Sequence, residues 1–149
     1  MKKILAVSAI MLALNTASFA QQNEGGHQKI NVPAVVKKSN QDRFSESKNY
    51  KITWEKEKGN YEANWGGKDG EANSAMYTPS GKFIEIVKAI PTKDLPNGVV
   101  SYGKEHYKTT KFGDVGRATD ANGKISYEVE INDKDVIFDE NGNFVKEEK

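Results

Sequence analysis

Alternating apolar and polar residues mark the stretch from Trp54 to Phe83 as two successive β-hairpins. In the first hairpin every second side chain is apolar, which is typical of strands with one buried face and one solvent-exposed face. Glycine in the intervening turns tolerates a positive φ, and Pro79 presets a turn dihedral. The pattern predicts an antiparallel meander with strands at 50–55, 61–65, 74–77 and 82–87, and turns at 58–60 and 78–81.

The segment before this meander has helical spacing. Asn31-Val32-Pro33 predicts a helix start, because Asn can cap and proline in the first turn has no amide hydrogen to leave unpaired. Val32, Val35 and Val36 then form a narrow apolar stripe, and Phe44 adds an apolar contact further on. We expect an amphipathic helix with a mostly polar surface.

The same order of features recurs later in the chain. Asp94-Leu95-Pro96 repeats the helix start at a spacing of 63, and the stretch 77–83 matches 138–144 at a spacing of 61. This self-similarity predicts duplication of one unit, with copies at 31–93 and 94–149. A unit of roughly sixty residues is marginally stable alone, so the copies should share a core or a continuous sheet.

The first residues have the pattern of an export signal. Lys2-Lys3 precede the apolar run 4–14, and Ser18-Phe19-Ala20 places small residues where a signal peptidase reads. The interpretation is a signal peptide over 1–20 and a flexible leader over 21–30. Cleavage would leave 149 − 20 = 129 residues in a periplasm or outside the cell, without membrane insertion.

Charge and cysteine content exclude several classes of partner. Removal of two lysines leaves 22 − 2 = 20 basic against 21 acidic residues, a net charge near −1 without long runs of one sign. Such a balance disfavours nucleic-acid binding. The chain has no cysteine, which excludes disulfides, thiolate metal sites and lipid attachment at cysteine.

No catalytic or metal-binding pattern stands out. His106 could act as a general base, but a surface role is expected for one of only two histidines. Paired carboxylates at 55/57, 128/130 and 133/135 match a solvated strand face as well as a glycosidase pair. The Asp-x-Asn-Gly stretches at 120–123 and 139–142 place glycine wrongly for an EF-hand and suit turns. We therefore expect a protein that is not an enzyme and has no metal or cofactor.

The joint order of these features resembles one known family. The residues that carry the resemblance are, in chain order, Val32-Pro33, Trp54-Glu-Lys-Glu-Lys-Gly-Asn-Tyr61-Glu-Ala, Tyr77-x-x-x-Gly81-Lys-Phe83, Ile90, Leu95-Pro96, Tyr102, Tyr107, Gly123-Lys-x-x-Tyr127-Glu-Val and Phe138-Asp-x-x-Gly142-x-Phe144. They are similar to the PepSY-like, β-lactamase-inhibitor-like proteins exported by Bacteroidetes-type bacteria. The resemblance covers 31 to about 146. It implies an α+β fold in which helices pack on one face of an antiparallel sheet and the other face is free.

These observations favour an exported, non-enzymatic binding module that contacts an envelope protein, such as a protease or hydrolase, through the free sheet face. A small-ligand carrier with a pocket between the repeats is the alternative. Alternation predicts that Ile52, Trp54, Ala63, Ile125, Tyr127 and Val129 face the helices, and that Thr53 and Ser126 face away with the acidic positions. The expected protein-contact residues are Glu55, Glu62, Asn64, Glu128 and Glu130, with Arg117 near the junction of the repeats.

Overall fold

The computed structural model describes residues 30–148, so the predicted signal peptide and most of the leader lie outside the described residues. Two α-helices are present in this part of the chain: α1, Ala34–Arg43, and α2, Asn97–His106. Short 3₁₀ turns follow α1 at Ser45–Asn49 and precede α2 at Thr92–Asp94. Among residues 30–148 no helix is long and apolar enough to cross a membrane.

Eight strands form a single antiparallel sheet in which spatial order equals chain order. Strand β4 pairs with β5 and joins the first half of the chain to the second, so both halves share one continuous sheet. The predicted meander is confirmed, with shifts of a few residues at strand ends. The strands are β1 Thr53–Glu57, β2 Asn60–Trp65, β3 Asn73–Tyr77, β4 Phe83–Ala89, β5 Val115–Asp120, β6 Ile125–Ile131, β7 Lys134–Asp139 and β8 Phe144–Glu148.

Both helices begin immediately after a proline, but Asn31 does not cap α1. Pro33 is the N-cap residue, with φ −55° and ψ 142°, and no side chain caps the helix. Its carbonyl accepts the amides of Val36 and Lys37 at 3.0 and 3.2 Å. The predicted role of Asn31 is wrong, because proline itself supplies the extended residue that starts the helix and Asn31 lies outside the cap position.

Each helix contributes to its own apolar cluster. Val36 of α1 is fully buried with Trp65, Ala75 and Tyr77. In the second half Val99 of α2 lies in a cluster that includes Val129, Ile131, Val136 and Phe138. The strand residues in both clusters are alternate residues, so they define one side of the sheet, which we call the helix side.

The final hairpins of the two halves have the same geometry. Gly81 and Gly142 both have φ +82°, a conformation that suits glycine. A register shift follows Met76 in one hairpin and Ile137 in the other. Duplication of one ancestral unit stays a prediction, but the two halves are structural counterparts in helix, strand order and turn.

The sheet is strongly curled. Eight flat strands, about 4.8 Å apart, would place the edge strands roughly 34 Å from each other. Instead, Lys58 in the turn after β1 reaches Glu148 of β8, with Nζ 3.8 Å from Oε2. The twist summed over seven inter-strand steps therefore brings opposite corners of the sheet together.

Candidate protein-contact surface

Acidic side chains gather on the side of the sheet opposite the helices. Because Trp54, Ala63 and Tyr127 pack with the helix-side clusters, their strand neighbours must point the other way. The pairing registers connect these neighbours from strand to strand. We call this side the acidic face; its carboxylates are Glu55, Glu57, Glu62, Glu85, Asp120, Glu128, Glu130, Asp135, Asp139 and Glu148.

Several of these carboxylates lie directly opposite one another on neighbouring strands. Glu55 is the register partner of Glu62 on β1 and β2. Asp135 pairs with Glu130 on one side and with Glu148 on the other. Like charges at opposed positions are unfavourable in a sheet, and partners on other residues offset part of this cost, among them Ser74 for Glu62 and Lys146 for Glu148.

Basic strand residues have the opposite distribution. Lys56, Lys88, Arg117 and Lys134 alternate with the acidic positions or pair with helix-side residues, so they belong to the helix side. Lys146, the register partner of Ile137, is a base on the acidic face. The near-neutral composition of the chain thus conceals a separation of charge across the sheet.

The centre of the acidic face is buried, and the expectation that it is exposed is wrong. Glu62, Asn64 and Glu128 are only 2%, 6% and 6% exposed. Curling makes one face of a sheet concave, and side chains on a concave face crowd their neighbours. Met76, Val87 and Ala118 also form an apolar cluster on this face.

Around this buried centre, Glu55 and Glu130 are half-buried. Ser74, opposite Asn64 in the register, donates a hydrogen bond to Oε1 of Glu62. The acidic face is therefore a concave, partly closed surface rather than an open platform.

Two carboxylates, one from β1 and one from β8, lie close together where opposite corners of the sheet approach each other. Lys58 Nζ lies 3.7 Å from Oε1 of Glu57 and 3.8 Å from Oε2 of Glu148, and Lys146 also pairs with Glu148. Burial raises the pKa of Glu57, Lys58 opposes this shift, and the nearby Glu148 adds to it. Burial of Glu57 therefore disfavours the charged form of this one carboxyl group.

The structure brings five of the six predicted contact residues onto one face. Glu55, Glu62, Asn64, Glu128 and Glu130 lie on the acidic face. Arg117 lies on β5 at the junction of the halves, as expected, but on the helix side, because its register partner is Tyr127. The sequence interpretation missed Glu57, Glu85, Asp135 and Glu148 as members of this face. Strict alternation along each strand would have found Glu57 and Asp135.

The other chemical candidates have structural roles. His106, at the end of α2, is exposed and stacks on Tyr102 with ring centroids 4.1 Å apart. Asp120 and Asp139 each accept two backbone amides within their own turns, as the turn interpretation predicted. Within residues 30–148 no group of three or more His, Cys, Asp or Glu residues is placed to hold a metal ion.

Solved structures share this fold at low sequence identity. A Bacteroides eggerthii protein, described in the words "putative periplasmic proteins", has a TM-score of 0.66 at 12% identity over 79% of this chain and 88% of its own. A DUF2874 family protein from Bacteroides ovatus has a TM-score of 0.61 at 13% identity, over 80% and 88%. A BLIP-like protein from Bacteroides fragilis has a TM-score of 0.56 at 19% identity, over 80% and 86%.

A search of curated proteins finds no match to the sequence. The model of one protein family, described as "Putative beta-lactamase-inhibitor-like, PepSY-like", matches residues 67–146. That match spans more than half of the chain and includes β3 to β7, both helix-side and acidic-face positions. The chain therefore belongs to the PepSY-like, β-lactamase-inhibitor-like family.

Proposed function

We propose that this chain is an exported, non-catalytic binding module that contacts a basic surface of a protein partner through the acidic face. The observation that carries the proposal is the set of directly opposed carboxylates on that face, Glu55 with Glu62 and Asp135 with Glu130 and Glu148. A description of one structural neighbour as periplasmic supports the same compartment for this chain. Inhibition of an envelope protease or hydrolase is the form of binding that the family resemblance favours.

The physical argument concerns electrostatic complementarity between the acidic face and its partner. The opposed carboxylates concentrate acidic groups on one concave side of the sheet, and a basic surface of a partner is electrostatically complementary to that side. The separation of acidic and basic residues across the sheet also gives the concave side a field that can steer a basic partner.

Neutralising substitutions test the proposal without changing side-chain size. We expect the triple variant Glu55→Gln, Glu130→Gln and Asp135→Asn to remain folded, because each substitution keeps the size of the side chain. The same variant should lose capture of its partner. The measurements are thermal unfolding and quantitative cross-linking from envelope extracts, followed by titration of the identified partner at low and high salt.

A matched control keeps the comparison specific. Lys56→Gln with Lys134→Gln changes charge on the helix side of the same sheet and should leave partner capture intact. If the acidic-face variant retains the partner at full strength, the contact surface lies elsewhere. Saturable binding of a small metabolite by both variants, without a protein partner, would favour a carrier instead.

We also infer that the two halves arose by duplication of one helix-and-four-strand unit. The helix-start prolines Pro33 and Pro96 are 63 residues apart, and the turn glycines Gly81 and Gly142 are 61 apart. Each glycine packs against the α-helix of its own half. Independent expression of 31–93 and 94–148 tests whether one unit can associate with the other to restore the sheet.

A further inference from the structure

A pair of cations lies on the helix side at the junction of the two halves. Lys88 of β4 and Arg117 of β5 are direct register partners on the two central strands. Their Cβ atoms are thus about 5 Å apart on one face. Lys88 follows Ile86 of the α1 cluster by two residues, and Arg117 follows Val115 of the α2 cluster by two residues, so the pair occupies the strip between the two helical cores.

Polar and aromatic residues continue this strip along the same cross-strand row. Asn73 of β3 is the partner of Lys88, and Tyr127 of β6 is the partner of Arg117. Both flanking residues and Arg117 are half-buried, and Lys88 is exposed. The guanidinium of Arg117 donates to Thr119 Oγ1 at 3.4 Å, a long contact with a neutral acceptor.

No carboxylate among residues 30–148 compensates the two positive charges. Neither the ammonium of Lys88 nor the guanidinium of Arg117 has an acidic oxygen of this part of the chain within 4.0 Å. Lys58, Lys134 and Lys146 all have carboxylate partners on the same sheet. Two like charges held opposite each other without a counter-charge destabilise adjacent strands. An anion bound between them would remove that cost.

We propose that Lys88 and Arg117 form a binding site for an oxyanion group, a carboxylate or a phosphate, on the helix side between the two halves. Arginine presents paired N–H donors that match the two oxygens of such a group, and lysine adds a flexible charge. Asn73 and Thr119 supply neutral polar groups beside the cations, and Tyr127 supplies an aromatic wall. This site lies on the opposite side of the sheet from the acidic face, so it is independent of the proposed protein-contact surface.

Titration with inorganic phosphate and with succinate, each at constant ionic strength set by sodium chloride, tests the site. The readouts are NMR shifts of the Arg117 side chain and of the Tyr127 ring. We expect saturable shifts with at least one of the two anions. Arg117→Gln and Lys88→Gln should each weaken binding about tenfold or more, since each removes a charge-assisted hydrogen bond.

Lys56→Gln is the matched control, because Lys56 lies on the helix side of β1, away from the junction. It should bind the anion as the unaltered protein does. In the absence of anion, Arg117→Gln and Lys88→Gln should unfold at a slightly higher temperature, since the repulsion is gone. Non-saturable shifts, or equal weakening in all three folded variants, would show that the anion only screens surface charge and would overturn the proposal.

Discussion

The two halves of the molecule have the same plan but fill their helix-to-sheet contacts with different chemistry. In the first half, Asn40 of α1 is fully buried, donates to Ser47 Oγ at 3.2 Å and accepts a hydrogen bond from Tyr77 at 3.0 Å. In the second half, Gly103 occupies the corresponding position of α2, 63 residues later. The backbone carbonyls of Asn40 and Gly103 both accept the amide of the residue that directly follows their helix, which supports the correspondence.

The second half uses aromatic packing where the first uses hydrogen bonds. A Cβ at Gly103 would lie 2.8 Å from the ring of Phe112, so that ring fills the space that Asn40 occupies in the first half. Phe138 replaces Tyr77, and Tyr102 stacks on Phe144 with centroids 4.9 Å apart. The comparison shows that one backbone plan accepts either a polar or an apolar contact, provided that each buried polar group has a partner.

Asn40→Leu should have the largest effect, because it breaks the polar contact of the first half. The substitution leaves the buried Tyr77 hydroxyl and Ser47 without their partner, so we expect a loss of about 3 kcal/mol in the free energy of unfolding. Urea denaturation measures it. Gln41→Leu, an exposed change on the same helix, is the control. A loss below about 1 kcal/mol would contradict the role of Asn40.

Gly→Val substitutions in the two final hairpins should have the next largest effects on stability, and these effects should differ between the two halves. At Gly142 an added Cβ would meet Pro96 Cβ at 2.9 Å and the Val99 amide nitrogen at 3.1 Å, and the backbone there cannot easily move. At Gly81 the two nearest atoms, Ser39 Oγ at 2.9 Å and Val35 Cγ2 at 3.0 Å, belong to side chains that can rotate away, although the carbonyl oxygen of Val35 lies at 3.1 Å.

We expect losses of about 2.5 kcal/mol at Gly142 and about 2 kcal/mol at Gly81, from strain plus crowding. Gly123→Val is the control for strain alone, because φ is +84° and no atom lies within 4 Å of the added carbon. The assignment is supported if the melting temperature is lowest for Gly142→Val, higher for Gly81→Val and highest for Gly123→Val. Equal melting of all three variants and the parent protein would refute it.

Tyr77→Phe converts the first half toward the second and should cost about 1 kcal/mol through loss of one hydrogen bond. Burial raises the pKa of Tyr77 above that of an ordinary tyrosine, and nearby Arg43 opposes this. A raised folded-state pKa means that stability is full below the unfolded value of 10.0 and is lost as the pH rises through the folded one. Tyr77→Phe should reduce this alkaline loss, measured by unfolding between pH 9 and pH 11. If the stability of Tyr77→Phe decreased with pH in the same way as that of the unaltered protein, a group other than Tyr77 would be responsible for the alkaline loss.

The smallest effect is expected in the turn after β7. Asp139 accepts the amides of Asn141 and Asn143 at 2.9 Å, whereas Thr78, 61 residues earlier, accepts the Lys82 amide at 3.1 Å with a neutral hydroxyl. The side-chain and backbone hydrogen bonds from Asn143 lower the pKa of Asp139 below its usual 3.8. The contribution of this carboxylate is therefore present above pH 3.8 and lost as the pH falls through the folded value.

Carboxyl NMR titration of Asp139 should show this lowered pKa, and acid should broaden the β7–β8 turn before the β3–β4 turn. Asp139→Thr is the matched variant, since it copies the first half and removes the titrating group. Simultaneous loss of both turns in acid would show that the two halves open together.

The sequence alone determined the features that depend on local geometry. Strand faces follow from the period of two in the backbone, so the orientation of Trp54 and Ala63 against Glu55 and Glu62 was predictable. Helix starts near Pro33 and Pro96 follow from the fixed φ of proline, although Pro33 and not Asn31 is the N-cap residue of α1. The turn glycines follow from their tolerance of positive φ, and Gly81 and Gly142 occupy it.

Only the tertiary structure decided how those faces are used. The burial of Glu62 and Glu128 depends on the curl of the whole sheet, which sums small twists over eight strands and leaves no mark in any short stretch. The side of the sheet on which Arg117 lies is set by the register of β5. The alternation pattern could not predict it, because the apolar residues of that short strand lie on both of its faces. Asn40 looked like part of a polar surface, because its partners Ser47 and Tyr77 lie 7 and 37 residues away and only packing unites them.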